Sequence, residues 1–196
     1  FAESRQEYNY GLELFQQGDL EKSIEYFTNA IIIDSTFSQA YLYRGRCYDG
    51  FNDSLALKDY VLAFSLDSSD FSPLYKIARI QSNTSIDESM HTYNIILGLS
   101  DKESKAFYKL GVLYYLQDSL ELAIVNFTNS IDLKKKARAF NDRASCYRIL
   151  GKIDLAIQDY ITAISLDPKL PFIYNNLAST YRVSGRFQEA LAYYSR

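Results

Sequence analysis

Apolar residues along this chain recur with the spacing of one face of an α-helix. A first run has positions i, i+3, i+4 and i+7 at Phe107, Leu110, Gly111 and Tyr114. After a short break the spacing returns at Leu120, Ala123, Ile124 and Phe127. Similar breaks recur elsewhere, as in Gln17-Gly18-Asp19, Leu150-Gly151-Lys152 and Ser184-Gly185-Arg186, where glycine favours the end of a helix. The pattern predicts pairs of antiparallel helices joined by tight turns.

The hairpin pattern repeats six times with a period of 33 to 34 residues. The first helix of each unit carries a small residue at Gly11, Gly45, Ala78, Gly111, Ala144 and Ala178. The second helix carries a small-x-x-x-aromatic step at Ser23/Phe27, Ala56/Tyr60, Ser89/Tyr93, Ala123/Phe127, Ala156/Tyr160 and Ala190/Tyr194. Small residues allow two backbones to approach closely, and the aromatic ring fills the adjoining space. A fixed period of this length indicates a solenoid.

These residue types and their spacing resemble the tetratricopeptide repeat, and the resemblance covers essentially the whole chain. It implies an all-α fold: a right-handed α-α superhelix of antiparallel helix-turn-helix repeats in a single array over residues 1–196. The third repeat is degenerate, because Gln81 replaces its aromatic residue and Ile96 replaces a small one. The predicted repeats are 4–37, 38–70, 71–103 (degenerate), 104–136, 137–170 and 171–196 (truncated).

Composition and charge narrow the function classes. The chain has 47% hydrophobic residues and a net charge of −3, so it can build a core but has no overall field that favours nucleic acid or an anionic membrane. Cys47 and Cys146 occupy the same register three repeats apart, which predicts two small core residues rather than a disulfide. No apolar run is long enough to span a membrane.

The two ends of the chain lead to further expectations. The sequence begins at Phe1 rather than Met and stops at Arg196 within a repeat, so we expect a piece of a longer protein. The sixth repeat lacks a following helix that would cover its apolar residues, such as Leu191 and Tyr194, and self-association through this truncated repeat is expected. No sequence feature indicates the cellular compartment, and the cytoplasm is only a default expectation.

In the family that the chain resembles, the first helices line a concave groove. In this sequence those positions are strongly basic, and the acids among them are Asp49 and Asp142. Arginine, lysine and aromatic side chains suit an extended peptide that carries carboxylates. The predicted peptide-binding residues are Arg46, Lys76, Arg79, Lys105, Tyr108, Lys109, Arg138, Asn141, Arg148, Asn175, Asn176 and Arg182. The alternative is that these lysines and arginines form a solvated face, as we expect for the short run Lys134–Lys136.

The resemblance and the groove together predict a protein-interaction scaffold or adaptor that binds an acidic peptide or protein segment. The alternative is a regulatory or substrate-recruiting segment of a larger enzyme or signalling protein. Binding of single-stranded RNA is disfavoured by the net negative charge. An enzyme is not expected, because His91 is the sole histidine and the chain has no phosphate-binding glycine loop and no metal-ligand spacing. No cofactor, metal or nucleic-acid partner is predicted.

Overall fold

The computed structural model describes residues 2–195, and within that range the regular secondary structure consists of helices. The described residues fall into two compact units, the first ending at Thr92 and the second beginning at Tyr93. The helices are α1 (Ala2–Gln17), α2 (Leu20–Ile33), α3 (Ser38–Tyr48), α4 (Asp53–Leu66), α5 (Ser72–Gln81), α6 (Ile86–Leu99), α7 (Ser104–Leu116), α8 (Leu120–Leu133), α9 (Ala137–Ile149), α10 (Ile153–Leu166), α11 (Pro171–Val183) and α12 (Phe187–Tyr194).

The turns between paired helices form where the sequence predicts them. Gly18 and Gly151 end α1 and α9 with φ angles of 84° and 72°, a left-handed conformation that glycine adopts without steric cost. In the fourth hairpin Asp118 takes this conformation with a φ of 57°. The side chain of Asn52 accepts a hydrogen bond from the Leu55 N–H at 3.1 Å and thereby caps α4.

In the first unit, pairs of helices pack through the predicted small and aromatic residues. Gly45 of α3 lies against the ring of Tyr60 on α4, and Tyr60 is fully buried. Gly11 of α1 lies against Phe27 of α2 in the same way. Cys47 is also fully buried with a free thiol, which confirms its prediction as a core residue. The core of this unit therefore follows the repeat pattern.

The second unit is built by the same rule. Gly111 of α7 lies against Phe127 of α8, while Ala144 and Ala156 pack in a buried cluster with Tyr160. The core continues along the stacked helices of this unit through Ile173 and Leu177 of α11. Cys146 is buried beside Phe127, again with a free thiol. Successive helix pairs thus share a continuous apolar core within this unit.

An ion pair joins three helices in the first unit. The guanidinium of Arg44 on α3 donates to both carboxylate oxygens of Asp59 on α4, at 2.9 and 2.8 Å. Its remaining nitrogen donates to Thr28 Oγ1 on α2 at 3.2 Å. Bidentate geometry makes this a strong and directional contact between consecutive hairpins.

The same clip occurs in the second unit, three repeats later in the chain. Arg143 on α9 donates to Asp159 on α10 at 2.8 and 2.9 Å and to Thr128 Oγ1 on α8 at 3.0 Å. Neither clip was predicted from the sequence. We refer to them below as the arginine clips: Arg44, Asp59 and Thr28 in the first unit, and Arg143, Asp159 and Thr128 in the second.

The degenerate third repeat uses hydrogen bonds where its neighbours use an aromatic residue. Thr92 Oγ1 donates to Gln81 Oε1 at 2.6 Å, so the glutamine that replaces the expected aromatic residue binds the paired helix. Ser89 Oγ donates to the Ala78 carbonyl at 2.7 Å in the same hairpin. These polar contacts retain the helix pair without the ring.

Candidate peptide-binding site

Three of the predicted binding residues lie in the first unit, where two of them already have an anionic partner. Asp49, which directly follows α3, accepts hydrogen bonds from Lys76 Nζ at 3.5 Å and from the Arg79 guanidinium. Tyr60 Oη donates to the same carboxylate at 3.3 Å. The positive charge of Lys76 and Arg79 is therefore partly neutralised within the chain.

The third predicted residue of the first unit, Arg46, is held by aromatic rings. Its guanidinium carbon lies 4.9 Å from the ring centroid of Phe15 and 4.6 Å from that of Tyr43. These distances are within the range of cation–π attraction. The Tyr43 ring in turn packs against other aromatic residues, with its centroid 5.7 Å from that of Tyr8 and 5.9 Å from that of Phe27. Arg46 thus forms part of a filled aromatic cluster.

In the second unit, basic side chains surround a pocket of about 240 Å³ between α7 and α9. Lys105, Lys109 and Arg138 were predicted from the sequence, and Lys136 joins them at the start of α9. Within residues 2–195, the side chains that line this pocket include no carboxylate. Among the described residues, Lys109, Lys136 and Arg138 are absent from the ion pairs. We call this the basic pocket.

Lys136 shows where the sequence interpretation was too coarse. It belongs to the lysine run that was expected to be a solvated loop, and the residue is indeed exposed. However, it immediately precedes α9 and lines the basic pocket together with Arg138. The signal available in the sequence was its position two residues before Arg138, at the start of a first helix.

Tyr108, Asn141 and Asn176, all predicted to bind a peptide, are brought together in a hydrogen-bonded chain. Asn176 Nδ2 donates to Asn141 Oδ1 at 2.9 Å, and Asn141 Nδ2 donates to Asp142 Oδ1 at 2.9 Å. Tyr108 Oη donates to Asp142 Oδ2 at 2.7 Å. Since Asn141 is buried, we assign it a role in positioning Asp142. The chain links α11, α9 and α7.

The remaining predicted residues lie on α9 and α11 of the second unit. Asn175 and Arg182 are exposed, whereas Arg148 is half-buried. Arg148 Nε is a buried donor without a hydrogen-bond partner among the described residues. Arg138 lies with its guanidinium carbon 5.7 Å from the ring centroid of Phe172. Among the described residues, no hydrogen bond joins these four side chains to one another, in contrast to Tyr108, Asn141 and Asn176.

A second pocket of about 330 Å³ lies beside the basic pocket and shares Tyr108 with it. Its walls are largely aromatic and apolar and include Tyr108, Val112, Tyr115 and Phe127. Asp142 and Ser145 on α9 contribute a carboxylate and a hydroxyl to the lining. Burial raises the pKa of the Asp142 carboxyl above its ordinary value, while hydrogen bonds from Tyr108 and Asn141 oppose the rise. We call this the Asp142 pocket.

Two classes of feature find no support in the described part of the chain. Residues 2–195 contain no cluster of three or more His, Cys, Asp or Glu side chains that could hold a metal ion. Within the same range, no helix combines the length and apolar character of a membrane span.

Comparison with protein families gives matches in two regions of the chain. A model described as TPR repeat matches residues 145–182. A model described as Tetratricopeptide repeat matches residues 8–37 and 173–196. Both the first and the last predicted repeats are thus recognised independently of the spacing argument.

Curated relatives are longer than this chain. Tetratricopeptide repeat protein 6 of Homo sapiens is 24% identical over 184 residues, which cover 91% of this chain and 35% of the human protein. Anaphase-promoting complex subunit 6 of Dictyostelium discoideum is 43% identical over 51 residues, or 26% of this chain and 6% of that subunit. The chain therefore spans about a third of the first relative and a small part of the second.

Solved structures with the same fold include PilF of Pseudomonas aeruginosa, with a TM-score of 0.80 and 17% identity over 98% of this chain and 89% of that one. A tetratricopeptide repeat protein from Parabacteroides merdae has a TM-score of 0.79 and 19% identity, over 98% of this chain and 78% of that one. YrrB, described as a TPR protein with an unusual peptide-binding site, has a TM-score of 0.67 and 21% identity, over 85% of this chain and 88% of that one. These similarities, with the helical structure, confirm the predicted solenoid fold class.

Proposed function

We propose, because the chain belongs to the tetratricopeptide repeat family, that it binds an extended acidic segment of a partner protein. The tetratricopeptide fold in general supports protein–protein interaction scaffolds rather than enzymes. In this proposal the acidic segment lies along α7, α9 and α11 of the second unit, and its carboxylates contact the basic pocket.

The observation that carries this proposal is the charge of the basic pocket. Lys105, Lys109, Lys136 and Arg138 converge there, and the described residues that line the pocket include no carboxylate. Of these four, Lys109, Lys136 and Arg138 form no ion pair within the described part of the chain. A partner carboxylate can accept charge-assisted hydrogen bonds from such ammonium and guanidinium groups. The first unit is the weaker candidate, because Asp49 already binds Lys76 and Arg79.

The solved structure of YrrB lends the proposal general support. That protein is described as having an unusual peptide-binding site, and it shares the fold of this chain at 21% identity. Exposed residues on first helices give this chain the groups that peptide recognition requires: cations, amides and aromatic rings. The residues that would contact the peptide are Lys105, Tyr108, Lys109, Lys136, Arg138, Asn175 and Arg182.

The test is binding of fluorescent extended peptides to the complete 196-residue chain. Acidic, neutral and basic peptides of equal length should be compared by anisotropy at low and physiological salt. We expect acidic peptides to bind preferentially, and Lys109→Glu and Arg138→Glu each to weaken that binding about tenfold, equivalent to about 1.4 kcal/mol. Added salt should weaken the wild-type interaction because the charges are exposed.

Lys58→Glu provides a matched control. Lys58 is an exposed lysine on α4, a second helix of the first unit, so this variant makes the same change in net charge away from the proposed site. Its acidic-peptide affinity should stay within about twofold of wild type, a small difference on the free-energy scale. Equal effects of Lys58→Glu and Lys109→Glu would reduce the interaction to non-specific attraction and would overturn the proposed site.

A regulatory or substrate-recruiting segment is the second candidate function. It is favoured by the lengths of the curated relatives, since the chain matches 35% of one and 6% of the other. This role would use the same binding face in a larger protein. RNA binding is checked in the same assay, because tight capture of a homopolymer at low salt would replace the peptide proposal.

A further inference from the structure

The Asp142 pocket has a counterpart in the first unit that is filled by the protein's own side chains. There the Tyr43 ring lies 5.7 Å from Tyr8 and 5.8 Å from Phe15, centroid to centroid. The Arg46 guanidinium covers both Phe15 and Tyr43 at 4.9 and 4.6 Å. Aromatic rings and a cation together occupy this place.

The corresponding residues of the second unit follow from aligning each helix with the helix three repeats later. The arginines of the two clips align α3 with α9, and Gly11 and Gly111 align α1 with α7. Arg44 corresponds to Arg143, so Tyr43 corresponds to Asp142 and Arg46 to Ser145. Two large side chains are therefore replaced by two small polar ones. The surrounding aromatic positions are retained, because Tyr8, Phe15 and Phe27 correspond to Tyr108, Tyr115 and Phe127. The resulting space is the Asp142 pocket, about 330 Å³ in volume.

The carboxylate in this pocket accepts hydrogen bonds but forms no direct ion pair among the described residues. Tyr108 and Asn141 donate to its two oxygens, and each oxygen retains capacity for another donor. The nearest basic residue on the helix of Asp142 is Arg143, whose guanidinium is bound to Asp159. Arg138, which packs over Phe172, lies further along the helix, and its positive charge partly opposes the rise in the pKa of the Asp142 carboxyl. Arg148 lies at the other end of the same helix. Lys105 and Lys109 of α7 line the neighbouring basic pocket.

Aromatic walls around an unpaired carboxylate form a suitable environment for a cation. A guanidinium can stack on the rings of Tyr108 and Tyr115 while donating to the carboxylate and to Ser145. Burial is the largest influence on the Asp142 carboxyl and outweighs the attraction of Arg138, so a cation bound in direct contact would reduce the electrostatic cost of the charged form. The first unit contains an example of the stacking component, in which Arg46 lies over Phe15 and Tyr43.

We propose that the Asp142 pocket binds an arginine side chain of the partner segment, in the place that Arg46 occupies in the first unit. This inference rests on the proposed function and refines it, because the two pockets are adjacent and share Tyr108. The partner segment would place a carboxylate in the basic pocket and an arginine in the Asp142 pocket. Recognition therefore uses acidic residues and an arginine of the segment together, so an acidic peptide that also carries an arginine should bind more tightly than one without it.

The decisive experiment uses small probes, so that it does not depend on any peptide being bound. N-acetyl-arginine amide and its neutral isostere N-acetyl-citrulline amide are titrated into the complete chain. Binding is followed by NMR of ¹³C-labelled tyrosine rings, with signals assigned from Tyr108→Phe and Tyr115→Phe variants. We expect the arginine probe to shift both rings and to bind at least about tenfold more tightly than citrulline.

Two variants separate charge from shape. Asp142→Asn should remove most of the preference for arginine over citrulline, because it removes the negative charge and keeps the side-chain size. The double variant Asp142→Tyr, Ser145→Arg restores the residues of the first unit and should fill the pocket. It should abolish the arginine-dependent shifts while circular dichroism shows an unchanged helical fold.

The outcomes distinguish this inference from the proposed function. Equal binding of arginine and citrulline, shifts that persist in the filled variant, or tighter binding of N-acetyl-tyrosine amide would each overturn the arginine site. None of these results bears on acidic-peptide binding at Lys109 and Arg138, which is measured separately. Conversely, loss of acidic-peptide binding with intact arginine-probe binding would overturn the proposed function alone.

Discussion

The contact between Gly111 and Phe127 leaves no room for a methyl group. A Cβ at position 111 would lie 2.7 Å from two atoms of the Phe127 ring, and Phe127 is almost fully buried. The ring cannot move into solvent, so Gly111→Ala forces a shift of packed helices. We expect destabilisation by about 1–3 kcal/mol, the usual cost of overpacking a core. Urea unfolding followed by circular dichroism measures it.

Gly98 supplies the control for that substitution. It lies in α6, and a Cβ there would have no neighbour within 4 Å. Because glycine is unfavourable within a helix, Gly98→Ala should stabilise the chain by about 0.5–1 kcal/mol. If Gly111→Ala stabilised the chain as Gly98→Ala is expected to, helix propensity rather than close packing would govern Gly111.

The small and aromatic positions of the core were predictable because the repeat fixes both their residue types and their spacing. The Asp142 pocket was not predicted, although its signal is present in the sequence. Asp142 was considered as a single position, whereas the pocket arises from the loss of both Tyr43 and Arg46 at the positions of Asp142 and Ser145. Cavities depend on differences in volume between neighbours, which a one-dimensional pattern of residue types does not record.

At the level of helices, the arginine clips hold consecutive hairpins together. The side chains of Arg143 and Asp159 are 16% and 8% exposed, and together they link α9 to α10, with Thr128 extending the contact to α8. Removing the arginine leaves a nearly buried carboxylate without its partner. We expect Arg143→Met to lower the free energy of unfolding by about 3 kcal/mol, measured by urea denaturation.

Three comparisons define the contribution of the clip. Arg44→Met in the first unit should have a similar effect, because Arg44 makes the same set of contacts. Lys22→Met removes an exposed pair with Asp19 within one helix turn and should change stability little. Arg143→Lys should remain destabilised, since lysine cannot make the two parallel hydrogen bonds. If Arg143→Met had the same free energy of unfolding as the wild type, the clip would make no net contribution to stability.

The helices and their turns could be predicted from the period and the glycine breaks, but the clips could not. A clip needs residues from three helices, and the separation of Arg143 from Thr128 and Asp159 is fixed only by the packing of those helices. The degenerate repeat shows the same limit. Gln81 was identified as a departure from the pattern, yet its hydrogen bond to Thr92 depends on a side-chain direction in the folded hairpin.

Across the chain, equivalent repeats share their stabilising contacts and differ in their binding chemistry. Both units contain an arginine clip. In the first unit, Lys76 and Arg79 are paired with Asp49. In the second unit, Lys109 and Arg138 lack an ion-pair partner among the described residues. The net charge of −3 therefore conceals a local basic site. This division explains why stability and recognition can be tested with separate substitutions.

The last described helix, α12, exposes an apolar face. On the equivalent earlier helices, the following helix covers this face. Leu120 of α8 and Ile157 of α10 are 6% and 7% exposed because following helices pack on them. On α12, Phe187 and Leu191 at the corresponding positions are each 67% exposed. Exposed apolar faces at the end of a repeat array favour association. We expect the 196-residue chain to associate with a second copy through α12, which sedimentation velocity at rising concentration will detect.

Association should be strongest near pH 5.2, the isoelectric point, because repulsion between copies is then weakest. Leu191→Glu should shift the chain towards the monomer at every pH above that point, since it places a charge on the apolar face. Leu122→Glu is the matched control, because Leu122 is an exposed leucine on α8 that lies outside this face. A chain that sediments as a monomer at its highest soluble concentration, or equal effects of the two variants, would contradict association through α12.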